Sequence, residues 1–165
     1  MKRLKTQTAD FHLATLYAPV TGETLALEQV RDVIFSEKLV GVGIAIIPDV
    51  QDIINILAPA DGIISSILPG NHAFFMQTDD GIEVLVHVGL NSVSLQGKGF
   101  SRMVNENQSV KKGQIILQVQ SHVLAENNIS LVTPVIITSP ELYEVKVNTG
   151  GVQAGITALI HAHRI

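Results

Sequence analysis

Asn71-His72-Ala73-Phe74-Phe75-Met76-Gln77-Thr78-Asp79-Asp80-Gly81-Ile82-Glu83-Val84-Leu85-Val86-His87-Val88-Gly89 reads as one β-hairpin. Asp80-Gly81 lies between two apolar, β-branched runs. A type I′ turn favours such a pair, because both its central positions need positive φ. With Asp80-Gly81 as a two-residue loop, Asp79 faces Ile82, Thr78 faces Glu83, Phe74 faces His87 and His72 faces Gly89. Side chains alternate between faces along a strand. Ala73, Phe75, Gln77, Ile82, Val84, Val86 and Val88 then form a core face. His72, Phe74, Met76, Glu83, Leu85, His87 and Gly89 form the other. The two histidines become diagonal neighbours at roughly 7–8 Å, within reach of long side chains. A three-residue loop would slip the register by one and place them on opposite faces. The Asp-Gly signal favours the shorter loop.

Outward from the hairpin the chain is punctuated by glycine and proline. Residues 1–13 read as a flexible lead-in, and 14–165 as a single domain. Strand readings fall on Leu16–Leu27 with a turn inside, Gly41–Pro48, Ile53–Pro59, Ile63–Gly70, Ile115–Val119, Val132–Ile137, Tyr143–Val147 and Ile156–His161. Val30–Phe35 reads as a loop holding a helical turn, Phe100–Val104 as a connector, and Val123–Asn128 as a short helix. Many short strands with frequent turn residues give an all-β antiparallel sandwich or barrel with one or two short helices. An internal echo accompanies them. Ala18-Pro19-Val20-Thr21-Gly22 returns as Ala58-Pro59-Ala60-Asp61-Gly62, and Val110-Lys111-Lys112-Gly113 as Val152-Gln153-Ala154-Gly155. Echoes at nearly equal spacing point to a duplicated β motif.

Composition narrows the chemistry. The 165 residues contain no cysteine, so thiolate catalysis, disulfides and cysteine metal sites are excluded. The formal net charge of −4 and the lack of a long basic run argue against nucleic acid as a partner. No apolar stretch approaches the ~20 residues of a membrane helix. Met1-Lys2-Arg3-Leu4-Lys5 is basic but leads into a polar run, so no secretory signal is expected and the cytoplasm is the expected location.

A histidine pair can do phosphoryl chemistry. Neutral imidazole is a nucleophile near pH 7, with an ordinary pKa of about 6.5. One ring nitrogen attacks while the other carries a proton, which needs an acceptor to fix the tautomer; a carbonyl near Gly89 is placed to serve. A second imidazole can donate to the oxygens over which charge spreads. Two other readings stand beside this one. A strand histidine is most often a surface residue or a satisfied core residue. Two histidines also begin a zinc site, but a catalytic zinc usually takes three protein ligands. The positions four beyond the histidines are Met76 and Asn91, so no closed metal site is expected. His161-Ala162-His163 shares one strand face and reads as a solvated basic strand. His12 has no visible partner.

Asn71-His72-Ala73-Phe74 and Val86-His87-Val88-Gly89 resemble the glucose-type IIA component of the bacterial sugar phosphotransferase system. So, in order, do Ala18–Glu23, Asp32–Gly41, Gly43–Ile46, Ala58–Gly62, Gly97–Phe100 and Thr133–Ile136. The resemblance implies an antiparallel sandwich of the barrel-sandwich hybrid type with a duplicated motif. It implies that His87 Nε2 accepts a phosphoryl group from HPr and passes it to a IIB domain of a sugar permease, with His72 as the auxiliary imidazole. It implies an apolar docking rim at Phe35, Leu39, Val40, Leu68 and Phe74, and supporting positions at Gly70, Gly89 and Asn91. No cofactor is implied, and the membrane enters only through the permease. Two alternatives go with the family: a regulator that binds permeases or kinases without turnover, in one form through zinc shared by the histidines with a partner carboxylate, and a zinc peptidase of related fold. The chain departs from the family pattern at Gly70 for a threonine, Asn91 for an aspartate, Leu68 for a phenylalanine and Val42 for an aspartate.

Overall fold

The computed structural model describes residues 13–165. Residues 1–12, with His12 and nearly all of the expected lead-in, lie outside the described residues. Strand β1 (Leu13–Tyr17) opens the fold. It is followed by β2 (Gly22–Leu25), the helical turn α1 (Val33–Ser36), β3 (Val42–Pro48), β4 (Ile53–Leu57) and β5 (Gly62–Ile67). The hairpin strands β6 (Ala73–Thr78) and β7 (Glu83–His87) come next. Then follow β8 (Phe100–Arg102), β9 (Ser109–Val110), β10 (Ile115–Gln120), helix α2 (Ser121–Glu126), β11 (Thr133–Ile137), β12 (Tyr143–Val147), β13 (Gly151–Val152) and β14 (Ala158–Arg164).

An eight-stranded sheet runs β13-β2-β3-β11-β7-β6-β5-β9, and two three-stranded sheets run β1-β14-β12 and β4-β10-β8. Every pairing is antiparallel. The order of the large sheet is symmetric about the β11–β7 pair, and the sequence echo lies on that symmetry. Tyr17 N donates to Pro59 O while Leu57 N donates to Pro19 O, both at 2.8 Å. Gly113 N reaches Ala58 O at 2.9 Å and Gly155 N reaches Ala18 O at 2.8 Å. Gly22 pairs with Val152 as Gly62 pairs with Val110. The glycines are demanded by contact: a Cβ on Gly22 would sit 2.1 Å from Ile47 O, and one on Gly62 2.2 Å from Gln77 O. The all-β sandwich with a duplicated motif is therefore the observed fold.

The large sheet is apolar on both faces, which is why its strands read as near-continuous apolar runs. Ile44, Ile46, Phe74, Met76, Val84, Val86, Val135 and Ile137 face the main core, with Leu16, Ile56, Leu117 and Ile160 from the small sheets. The intervening Ala45, Ala73, Leu85 and Ile136 form a second core with Leu27, Val30 and Phe35. Alternation with period two separates the two sets.

The hairpin differs from the sequence reading. Its register pairs Ala73 with His87, Phe74 with Val86 and Gln77 with Glu83. The loop is therefore Asp79-Asp80-Gly81, three residues long. Gly81 N donates to Thr78 O at 2.8 Å, and Gly81 takes φ +88. Such a turn closed by a left-handed glycine is the usual three-residue hairpin loop. Thr78 Oγ1 accepts from Ile82 N at 3.1 Å, and Asp79 N donates to Asp61 O at 2.9 Å. The slip moves Phe74 and Met76 to the main core face, and Ala73, Phe75 and Gln77 to the other. Phe100–Arg102 is a strand rather than a connector. Val93 and Leu95 lie in a 3-10 turn, Ser92–Leu95. The helix expected at Val123–Asn128 begins two residues earlier. His161 and His163 are half-buried on β14, the central strand of a small sheet, rather than solvated. His161 Nδ1 is 3.1 Å from Thr15 Oγ1, and His163 Nε2 is 3.1 Å from Glu144 Oε2.

Candidate functional site

His72 and His87 meet at the end of the β6–β7 ladder, and their ring centroids are 5.1 Å apart in an edge-on arrangement. The three-residue loop does not separate them, contrary to the sequence expectation. Strict alternation ends at Ala73, where β6 begins. His72 lies in a turn whose preceding residues, Gly70 and Asn71, take φ +94 and +63. Its carbonyl still accepts from Val88 N at 2.8 Å, which holds the turn to β7. The two rings meet because the backbone leaves the sheet there.

The tautomer of His87 follows from one contact. Nδ1 lies 2.9 Å from Gly89 O. A carbonyl only accepts, so Nδ1 carries the proton and Nε2 carries the lone pair. Burial, and after it the neighbouring His72, push the pKa of His87 down to about 4; the Gly89 carbonyl and Asp32 oppose the shift. His72 is 4% exposed, and burial lowers its pKa as well, against the nearby Pro69 carbonyl. Both rings are neutral at pH 7. His72 Nδ1 is buried with no hydrogen-bond partner.

Gly89 presents its carbonyl from φ +84, and an added Cβ would lie 2.8 Å from Ser130 O. Gly89→Ala is expected to destabilise the fold by about 2 kcal/mol, from left-handed strain with a backbone clash added. Urea denaturation checks this, with a shifted midpoint and an unchanged slope as the expected result. Ser92 Oγ donates to Val88 O at 2.6 Å and closes the same turn.

The lowered pKa of His87 makes a prediction for stability. The unfolded chain binds a proton near pH 6.5 and the folded chain only near pH 4, so stability falls as pH drops through that window. Between pH 7 and pH 5 the loss attributable to His87 is about 2 kcal/mol. Comparing wild type with His87→Ala by denaturation at both pH values measures it. Equal pH dependence in the two proteins would show that burial does not hold His87 neutral.

The surroundings are apolar. The Phe35 ring stands 5.2 Å from His87, and the Phe100 ring 6.3 Å from His72. Asp32 caps α1, its Oδ1 accepting from Ile34 N at 3.0 Å, and so holds the turn that carries Phe35. Asp32 and Phe100 were not singled out from the sequence. An aspartate just before an apolar helical run was the available signal for Asp32; none marked Phe100.

Of the expected rim, Leu39 is 67% exposed, Val40 and Leu68 are half-buried, and Phe35 is buried against His87. Val33 and Ile34 add exposed apolar surface on the same turn. Phe74 is corrected: it is 0% exposed in the main core, and its neighbour Phe75 is the one on the outer face. Gly70 lies beside the pair, where an added Cβ would be 3.5 Å from His72 Nδ1. Asn91 is exposed, takes φ +60 at the start of the 3-10 turn, and its carbonyl accepts from Ser94. Among the described residues no three His, Asp or Glu side chains group as metal ligands, and no helix is long and apolar enough to cross a membrane.

Comparison with known proteins places this geometry in a family. A glucose-specific EIIA component from Borreliella burgdorferi is 41% identical over 137 residues, 83% of this chain and 68% of that protein. A glucoside-specific EIICBA component from Staphylococcus carnosus is 39% identical over 148 residues, 89% of this chain but 21% of that longer protein. The structure of the glucose permease IIA from Mycoplasma capricolum superposes with a TM-score of 0.83 at 32% identity, covering 91% of this chain and 96% of that one. The model for the phosphoenolpyruvate-dependent sugar phosphotransferase system, EIIA 1, matches residues 14–143. The chain belongs to the EIIA 1 family of that phosphotransferase system.

Proposed function

We propose that this chain is a phosphocarrier that takes a phosphoryl group from phosphorylated HPr onto His87 Nε2 and delivers it to a IIB domain of a sugar permease of the glucose or glucoside class. The observation that carries the reading is the bond from His87 Nδ1 to Gly89 O, which leaves the Nε2 lone pair free. Attack forms the Nε2–P bond as the donor's bond to phosphorus breaks. The proton stays on Nδ1, donated to the Gly89 carbonyl throughout, so acceptance requires no proton movement at His87. The lowered pKa keeps Nε2 unprotonated across the physiological range.

His72 is the auxiliary group, close enough edge-on to meet phosphoryl oxygens as charge develops on them. Leu39, Val33 and Ile34, with Val40 and Leu68, form the apolar surface that receives HPr and the IIB domain in turn. A relative whose name joins C, B and A parts supports a IIB domain as the receiver. The reading places the protein in the cytoplasm, reaching the membrane only through the permease. No feature of the site favours the regulatory or the peptidase alternative.

The test is reconstitution. The purified chain with phosphoenolpyruvate, enzyme I and HPr is expected to gain one phosphoryl group by intact mass, and to lose it when a matching IIB domain is added. Failure to gain it would sink the proposal. Gain without loss to any of a panel of IIB domains would leave a phosphorylated regulator rather than a carrier.

A further inference from the structure

The imidazole of His72 takes no side-chain hydrogen bond, and the polar group beside it is the Pro69 carbonyl of its own turn. Nδ1 is orphaned, and Gly70 beside it brings no side chain. The placement of the ring therefore depends on the turn that carries it. That turn is closed by Asn71 N donating to Leu68 O and Leu68 N donating to Ala73 O, both at 2.9 Å. It includes two successive left-handed residues, Gly70 and Asn71. One segment, running from β8 towards β9, holds it at two points and holds the end of β5, from which it springs, at a third. Arg102 Nε donates to Asn71 Oδ1 at 2.8 Å. Glu106 Oε2 accepts from Ile67 N at 3.0 Å. The Phe100 ring packs against His72 itself.

We propose that Arg102, acting through Asn71, is a positioning residue for His72, with Glu106 as the second tie of the same clamp. Arg102 suits the task because its planar guanidinium fixes the direction of the donated N–H. It holds the side chain of the residue next to His72. An imidazole whose polar neighbour is a carbonyl of its own turn shifts with that backbone, and small displacements of a reacting group are costly for rate. For the function assigned to the clamp, this inference rests on the carrier reading; the geometry it describes does not.

Two deletions remove the same bond from opposite sides. Arg102→Ala removes the donor. Asn71→Gly removes the acceptor while keeping a residue that tolerates positive φ. In the full chain, each is expected to slow delivery from phosphorylated His87 to a IIB domain on the order of tenfold. Uptake from HPr should stay within about twofold of wild type by the same argument. The double variant should be no slower than either single one, as expected for one shared interaction. Nitrogen-15 spectra of the imidazoles, recorded without any phosphotransfer component, should show the His72 signals moved or broadened and the His87 signals retained. Glu106→Gln keeps an acceptor and should behave as wild type, while Glu106→Ala should repeat the His72 change.

Unmoved His72 signals in both Arg102→Ala and Asn71→Gly would overturn the proposal, whatever the transfer rates. So would additive losses in the double variant, which would assign Arg102 a separate role. Equal slowing of uptake and delivery would mark a structural effect and overturn it too. If wild type takes up no phosphoryl group, the carrier reading fails, and the imidazole spectra still decide whether the clamp positions His72.

Discussion

His87→Ala is expected to take up no phosphoryl group above background from HPr, enzyme I and phosphoenolpyruvate, while folding as wild type does. The loss follows from the site. The Nε2 lone pair exists because Nδ1 is committed to Gly89 O, and His72 cannot stand in for it. His72 is buried, its Nδ1 makes no hydrogen bond like that from His87 Nδ1 to Gly89 O, and it is less exposed than His87. The fold should survive because His87 is outside the main core and only half-buried. Truncation removes the contact with the Phe35 ring, an effect of about 1 kcal/mol. Intact-mass measurement of uptake, with denaturation as the folding control, checks both halves. Uptake persisting in the folded variant would move the acceptor elsewhere.

His72→Gln should separate the two half-reactions. Uptake from HPr is expected near the wild-type rate, and delivery to a IIB domain is expected to fall on the order of a hundredfold, the scale of losing one donor to developing phosphoryl charge. Glutamine fills similar space and carries polar atoms, so the turn at Gly70-Asn71 need not collapse. It lacks the imidazole edge that meets His87 at 5.1 Å. Rapid-quench measurement of each half-reaction reads the two rates independently. Equal rates to wild type in both directions would remove His72 from the chemistry and leave it a packing residue.

Most of the architecture was legible because its causes are local. Glycine-entered strands such as Gly41–Pro48 announce themselves, and the paired motifs at Ala18 and Ala58 carry the duplication on the surface of the sequence. The hairpin loop was not legible in the same way. Asp80-Gly81 fits a two-residue loop, and Asp79-Asp80-Gly81 fits a three-residue one. The longer loop is favoured by Asp79 N bonding to Asp61 O and by the Thr78 hydroxyl on Ile82 N. The first of these contacts joins the loop to the residue just before β5, far off in the sequence. The same slip exchanged the roles of two adjacent phenylalanines, burying Phe74 and turning Phe75 outward. His72 and His87 still meet, because the turn around Asn71 breaks the alternation by which a three-residue loop would put them on opposite faces. The ties from Arg102 and Glu106 connect positions more than thirty residues apart, and no local pattern encodes them.

The proposed phosphoryl acceptor is Nε2 of His87, its tautomer set by the Gly89 carbonyl. Nitrogen-15 and phosphorus-31 spectra of the chain phosphorylated through HPr test it directly. The prediction is a phosphorus coupled to Nε2 of His87, with the Nδ1 proton of that ring retained. Phosphorus on Nδ1 of His87, or on His72, would contradict it.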